Sequence, residues 1–210
     1  MSQNFYHRIG KRLIDLAIAV PALIVLSPLL VVTALLVRIQ LGSPVLFRQE
    51  RPGYKGLRFR ICKFRTMTDR YSSDGVLLHD DLRLNSFGKF LRASSLDELP
   101  ELWNVIVGEM SLVGPRPLRV EYLQLYSAEQ STRHDVMPGI SGWAQVNGRN
   151  SVDWDERLKM DVWYTRNISL RLDLWILWKT ISAVFGRQGI SADGCSTMPS
   201  FEGTQQKIAS

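Results

Sequence analysis

The chain has 210 residues, 45% of them hydrophobic and 22% charged, which excludes disordered and collagen-like architectures and leaves a folded protein with its own core. Two cysteines, Cys62 and Cys195, exclude a disulfide framework and share no zinc-binding spacing. Lys plus Arg number 26 against 20 Asp plus Glu, and the net charge of +6 favours anionic partners: nucleic acid, phospholipid head groups or phosphorylated substrates.

A mean hydropathy of −0.05 conceals an uneven distribution. Residues 16–37 are 22 consecutive uncharged positions, roughly 33 Å as a helix and long enough for a bilayer core of about 30 Å. The run is too long for a signal-peptide core, and no small-residue cleavage site follows it. Arg8, Lys11 and Arg12 precede it; Arg38, Arg48, Arg51, Lys55, Arg58 and Arg60 follow it. Basic flanks favour the cytoplasmic side at both ends, which one straight spanning helix cannot satisfy. Pro21 and Pro28 each remove a backbone donor, and Ser27-Pro28 lies near the centre. A break there gives a re-entrant helix over residues 1–40; a spanning helix with a proline kink is the alternative.

Beyond residue 40 the chain reads as a compact globular domain over 41–190, predominantly α with a small β element, and a Gly/Ser-rich tail over 191–210. Residues 44–47 predict a short strand, Arg51-Pro-Gly53 a turn, and 57–64 a second strand. A polar loop covers 68–82 and a short helix 86–93. Leu99, Leu102, Trp103 and Ile106 recur at helical spacing, predicting a helix over 97–107 closed by Gly108. Gly114-Pro-Arg-Pro117 is a rigid loop. Residues 120–133 read as helix, Pro138-Gly-Ile-Ser-Gly142 as turn, and 154–166 as helix. The segment 172–185 is apolar nearly all round. Five of six tryptophans fall at or after Trp143; with Arg171, Lys179 and Arg187 at its margins, 172–185 reads as an amphipathic helix on the membrane surface or as a core helix.

The densest acidic cluster is Ser95-Leu-Asp97-Glu98-Leu-Pro-Glu101. Ser95-x-x-Glu98 matches a capping box, and acidic residues suit a first helical turn. Pro100 instead points to a helix beginning at or after Asp97, with two adjacent carboxylates at its tip. Such a pair suits a hard cation such as Mg²⁺, or supplies a carboxylate nucleophile. Arg83, Arg92 and Arg116 flank the cluster in sequence, and two prolines fix the backbone around Arg116. A rigid guanidinium fork suits phosphate; pairing with a structural carboxylate is the plainer alternative. Lys63, Arg65 and Arg149 are further basic candidates. His7, His79 and His134 share no ligand spacing.

Six motifs occur in one order: Lys11-Arg-x-x-Asp15, Ser27-Pro28, Lys63-Phe-Arg-Thr-Met67, Ser95-Leu-Asp-Glu-Leu-Pro100, Gly114-Pro-Arg-Pro117 and Pro138-Gly-Ile-Ser-Gly-x-Ala-Gln-Val-Asn-Gly-Arg149. In these the chain resembles the bacterial sugar transferases, monotopic phosphoglycosyl transferases that start glycan assembly on a polyprenyl phosphate, in their minimal form. The resemblance implies a UDP-sugar donor, an undecaprenyl phosphate acceptor and release of UMP. It implies Asp97 as nucleophile, Glu98 with Asp97 at Mg²⁺, and Arg116, with Arg92, Lys63 and Arg149, on phosphate. Ser27-Pro28 becomes the helix break. Membrane lipids and downstream glycosyltransferases are the implied partners, not nucleic acid, and the place is the cytoplasmic face of the inner membrane.

Overall fold

The computed structural model describes residues 6–148, 152–185 and 200–203. A π-helical turn, Tyr6–Gly10, leads into α1, Lys11–Gln40, a 30-residue helix. Its most hydrophobic 18-residue window has a mean hydropathy of 2.6 and is 11% buried, so α1 is long and apolar enough to cross a membrane. One narrow stripe meets the rest of the protein. Asp15, Ala19, Thr33 and Val37 are buried along it, with Ala22, Leu26 and Leu30 half-buried between them, at the 3–4 spacing of one helix face. Ile24, Val25 and Ile39 lie open on the other sides.

Helical backbone continues through Pro21 and Pro28, so the expected break at Ser27-Pro28 does not divide the segment into two helices. The reason is local. Pro28 has no amide for the Ile24 carbonyl four residues earlier, and the Ser27 hydroxyl donates to that oxygen instead, at 2.7 Å.

Both ends of α1 are fastened to the globular part. At the first, Lys11 Nζ lies 2.5 Å from Asp173 Oδ2, and the hydroxyls of Tyr6 and Tyr164 each donate to the same carboxylate at 2.7 Å. Arg12 donates to the carbonyls of Val105 and Ile106 at 2.5 and 2.8 Å, occupying acceptors that a helix end leaves over. Asp15 accepts from the Leu112 amide at 3.0 Å. At the other end Val37 and Leu41 pack with Phe64 and Leu91.

Two strands, β1 (Leu46–Pro52) and β2 (Arg58–Phe64), form an antiparallel hairpin in register Leu46↔Phe64 to Pro52↔Arg58. The expected strand over 44–47 thus starts later and runs through the predicted turn, which moves to Tyr54–Gly56. Its Arg-Gln-Glu-Arg stretch hid it, because a hairpin wet on one side carries charged residues. Helix α2, Ser86–Ala93, has the predicted bounds, and the Asn85 side chain accepts from the Gly88 amide at 2.8 Å. The predicted helix over 97–107 divides into a 3₁₀ turn, Leu96–Glu98, and α3, Glu101–Val107, with Pro100 capping and Gly108 closing at φ 90°.

Residues 138–142, read as a turn, contain a strand. β3 (Ser111–Val113) pairs in parallel with β4 (Gly139–Ser141). The glycines mark close approach here: a Cβ on Gly139 would lie 2.0 Å from the Gly114 nitrogen. The predicted helix over 120–133 breaks into Val120–Gln124, Ala128–Ser131 and Thr132–Asp135, because Ser127 and Gln130 form a capping box that restarts the chain. After α4, Trp143–Asn147, α5 spans Trp154–Asn167 and α6 spans Leu170–Phe185. Helix α6 buries Asp173 and Ile176 and exposes Leu174, Trp178 and Ile181, so it presents apolar residues both to the core and outward. Of the segment expected as a tail, residues 200–203 are described, and Phe201 is buried among Leu118, Tyr122 and Leu158. The main core joins Phe59 and Ile61 of β2, Leu102 and Val105 of α3, Leu112 and Val113 of β3, and Tyr164 and Ile176.

Candidate active site

The acidic cluster sits where three elements meet. Ser95 adopts a left-handed conformation, φ 55°, and makes no side-chain cap, so the capping-box reading of Ser95 and Glu98 does not hold. The reversal at Ser95 and the short turn after it bring Asp97 and Glu98 against β2 and against the loop that follows β3.

Glu98 is held by two cations. Arg116 Nη2 lies 2.5 Å from Glu98 Oε1 and Lys63 Nζ lies 2.8 Å from the same oxygen. Lys63 Nζ is also 2.8 Å from Oε1 of Glu101, which is 1% exposed. That second contact lacks hydrogen-bond geometry, and Glu101 Oε1 is left without a directed donor. Asp97 is buried and forms no ion pair among the described residues.

Three carboxylates therefore share two close cations, and they divide unequally. Burial opposes ionisation of Glu98, but the Arg116 and Lys63 charges and hydrogen bonds outweigh it and hold Glu98 well below the usual carboxylate range. The Arg116 guanidinium is correspondingly pushed up, chiefly by Glu98. Asp97 is raised to about 6 by burial and by the Glu98 charge, with Lys63, Arg116 and Arg92 pulling the other way. Glu101 is raised to about 7 by burial, then by Glu98, against the pull of Lys63. The outcome is one carboxylate fixed as an anion beside another, Asp97, that ionises near neutrality with no cation bonded to it among the described residues.

Of the residues expected at the site, the structure brings together Asp97, Glu98, Lys63 and Arg116. Arg92 donates from Nε to Thr66 Oγ1 at 3.1 Å and acts on Asp97 through its charge. Arg149 lies outside the described residues. Arg65 is not part of the cluster; it donates to the Met67 and Ser43 carbonyls and pairs with Asp69. Sequence reasoning named Glu101 in the acidic cluster but gave it no role, although its place three residues after Glu98 is a one-turn signal. It missed Arg51 and Arg133, which reach the Arg116 loop from distant segments and carry no local signal. No group of three or more His, Cys, Asp or Glu side chains among the described residues is placed to hold a metal ion. Asp97 and Glu98 do suit Mg²⁺ of the kind held by one or two carboxylates, with phosphate oxygens and water completing the shell.

A family model for bacterial sugar transferases matches residues 6–187. This chain is a bacterial sugar transferase. The uncharacterized sugar transferase EpsL of Bacillus subtilis is 48% identical over 194 residues, covering 92% of this chain and 96% of that one. The UDP-glucose:undecaprenyl-phosphate glucose-1-phosphate transferase of Klebsiella pneumoniae is 40% identical over 188 residues, 85% of this chain and 40% of its own. The undecaprenyl-phosphate galactose phosphotransferase of Salmonella typhimurium is 36% identical over 199 residues, 87% of this chain and 42% of its own. This sugar transferase thus spans nearly the whole of EpsL and about two-fifths of the other two.

Proposed function

We propose that the protein transfers a phosphosugar from a UDP-sugar to undecaprenyl phosphate, releasing UMP, through a covalent intermediate on Asp97. The observation that carries this reading is the inequality of the dyad: Glu98 is tied to Arg116 and Lys63, whereas Asp97, one residue away, is a buried carboxylate with no ion pair among the described residues. The names of the Klebsiella and Salmonella relatives supply the acceptor and the reaction type.

In the first step an Asp97 oxygen attacks the phosphorus that bears the sugar, the bond from that phosphorus to the UMP oxygen breaks, and UMP leaves. In the second, an oxygen of undecaprenyl phosphate attacks the same phosphorus and Asp97 departs as a carboxylate. Arg116 and Lys63 supply positive charge where the diphosphate approaches two carboxylates, and Glu98 keeps both aimed. Asp97 and Glu98 would hold Mg²⁺, which would supply positive charge beyond that of the protein's own cations. Both ends of α1 rest on one globular body and both flanks are basic, which supports a membrane-embedded helix that keeps both ends, and the catalytic part, on the cytoplasmic face. The outward apolar residues of α6 support seating on the same membrane surface.

The test is intact-protein mass after mixing with a panel of UDP-sugars without lipid acceptor, alongside UMP release. A phosphosugar adduct on Asp97 that disappears in Asp97→Asn is the expected result. Turnover by Asp97→Asn at near wild-type rate refutes the mechanism.

A further inference from the structure

Arg116 can serve phosphate only if its loop holds it in place, and that loop cannot hold itself. Pro115 and Pro117 have no amide hydrogens, and residues 115–119 belong to no helix or strand. Its carbonyls need donors from elsewhere. Each of the three finds one. The Gly139 amide donates to the Pro115 oxygen at 3.1 Å. Arg133 Nη2 donates to the Arg116 oxygen at 2.7 Å. Arg51 Nη1 reaches the Pro117 oxygen at 3.5 Å, a long contact.

The two arginines come from separate elements, β1 and the turn Thr132–Asp135, and are themselves held. Arg133 is 2% exposed, and its Nε and Nη2 donate to Asp161 Oδ2 on α5 at 3.1 and 2.7 Å. The pair neutralises a guanidinium that would be costly to bury alone, and the fork still has a donor for the Arg116 carbonyl. Arg51, on β1, bonds Gln49 Oε1 at 2.6 Å and forms no ion pair among the described residues. Its Nε is buried without a partner, and burial, then Arg116 and Arg119, press its pKa down. A half-buried cation beside another cation is not there for its own stability; its contact with the loop gives it a purpose.

We propose that Arg51 and Arg133 are positioning residues that clamp the Pro115-Arg116-Pro117 backbone at two carbonyls and so aim the Arg116 guanidinium at Glu98 and the substrate phosphate. The consequence for phosphate rests on the function proposed above; the clamp does not. Neither arginine touches the reacting atoms, so their effects pass through Arg116.

Two measurements on the full-length protein in detergent test this. In UMP release, Arg133→Lys, which keeps the charge but not the fork, lowers kcat at least about tenfold with KM changed less than about threefold. In an Arg116→Lys background the same change costs less than about twofold, because the group being aimed is already gone. Arg51→Gln, which leaves no carboxylate unpaired, behaves alike and decides the matter if Arg133→Lys fails to fold. The second measurement is amide hydrogen exchange at Gly139, whose N–H bonds Pro115; either variant accelerates it, Arg51→Gln at unchanged melting temperature. Equal fold losses in the two Arg116 backgrounds, or unaltered exchange at Gly139, overturn the clamp. A wild type that releases no UMP from any UDP-sugar refutes the proposed function instead, and the exchange result still judges the clamp.

Discussion

Asp97→Asn is expected to make the protein more stable while abolishing its activity. Asp97 is 8% exposed and its carboxyl is raised from 3.8 to about 6, by burial first and the Glu98 charge second. Between those values the unfolded chain has released its proton while the folded chain still holds it, so stability falls as pH rises from 4 to 6 and stays lowered above that. A shift of about two pKa units corresponds to about 3 kcal/mol at neutral pH. Asparagine removes the charge but keeps a polar amide to bury, so roughly 1–2 kcal/mol of that is recovered. For a chain of this size the gain is about 3–6 °C in Tm. The assay is thermal unfolding in detergent with EDTA, wild type against Asp97→Asn, at pH 7.5 and again at pH 4. The gain should be present at pH 7.5 and largely disappear at pH 4, where the folded wild type keeps the Asp97 proton and the unfolded chain has released it only about half of the time. A variant no more stable than wild type at pH 7.5, or a difference independent of pH, refutes the picture of a buried, charge-repelled carboxylate at Asp97.

Glu98→Gln strips the shared anion from Lys63 and Arg116 and should cost about 2 kcal/mol of stability, less than a fully buried pair because Arg116 is partly exposed; the same variant should show weakened Mg²⁺ dependence of UMP release. Arg116→Lys should cut UMP release roughly 10- to 100-fold with little change in Tm, since a point charge does not reproduce the fork. Gly139→Ala forces a Cβ to within 2.0 Å of the Gly114 nitrogen and should destabilise by about 3 kcal/mol, read by thermal unfolding. Single cysteines near Gln3 and at Ser43, in a background without Cys62 and Cys195, should both resist an impermeant thiol reagent in intact cells, and labelling of only one would mean that α1 spans.

Local patterns carried much of this molecule. Twenty-two uncharged residues between basic flanks announced α1; Gly108 and the 3.6-residue spacing gave the end of α3. Asp97, Glu98 and Arg116 were legible because prolines and adjacent like charges are unusual on their own stretch of chain. What stayed hidden depends on partners far away in sequence. Strands β3 and β4 are three residues each and pair in parallel across a long connection that carries three short helical segments, so neither has a local period to read. Ser95-x-x-Glu98 fitted a capping box until the fold gave Glu98 to Lys63 and Arg116, whose charges outweigh anything a cap offers. The basic residues Lys11 and Arg12 read as a membrane flank, and the structure uses them to fasten α1 to Asp173 and to the end of α3. The sequence therefore specified which charged groups exist and where the chain must turn. The tertiary structure alone decided which carboxylate is paired and which is left with a raised pKa, because burial and the distance between charges set that division, and neither is a property of neighbours along the chain.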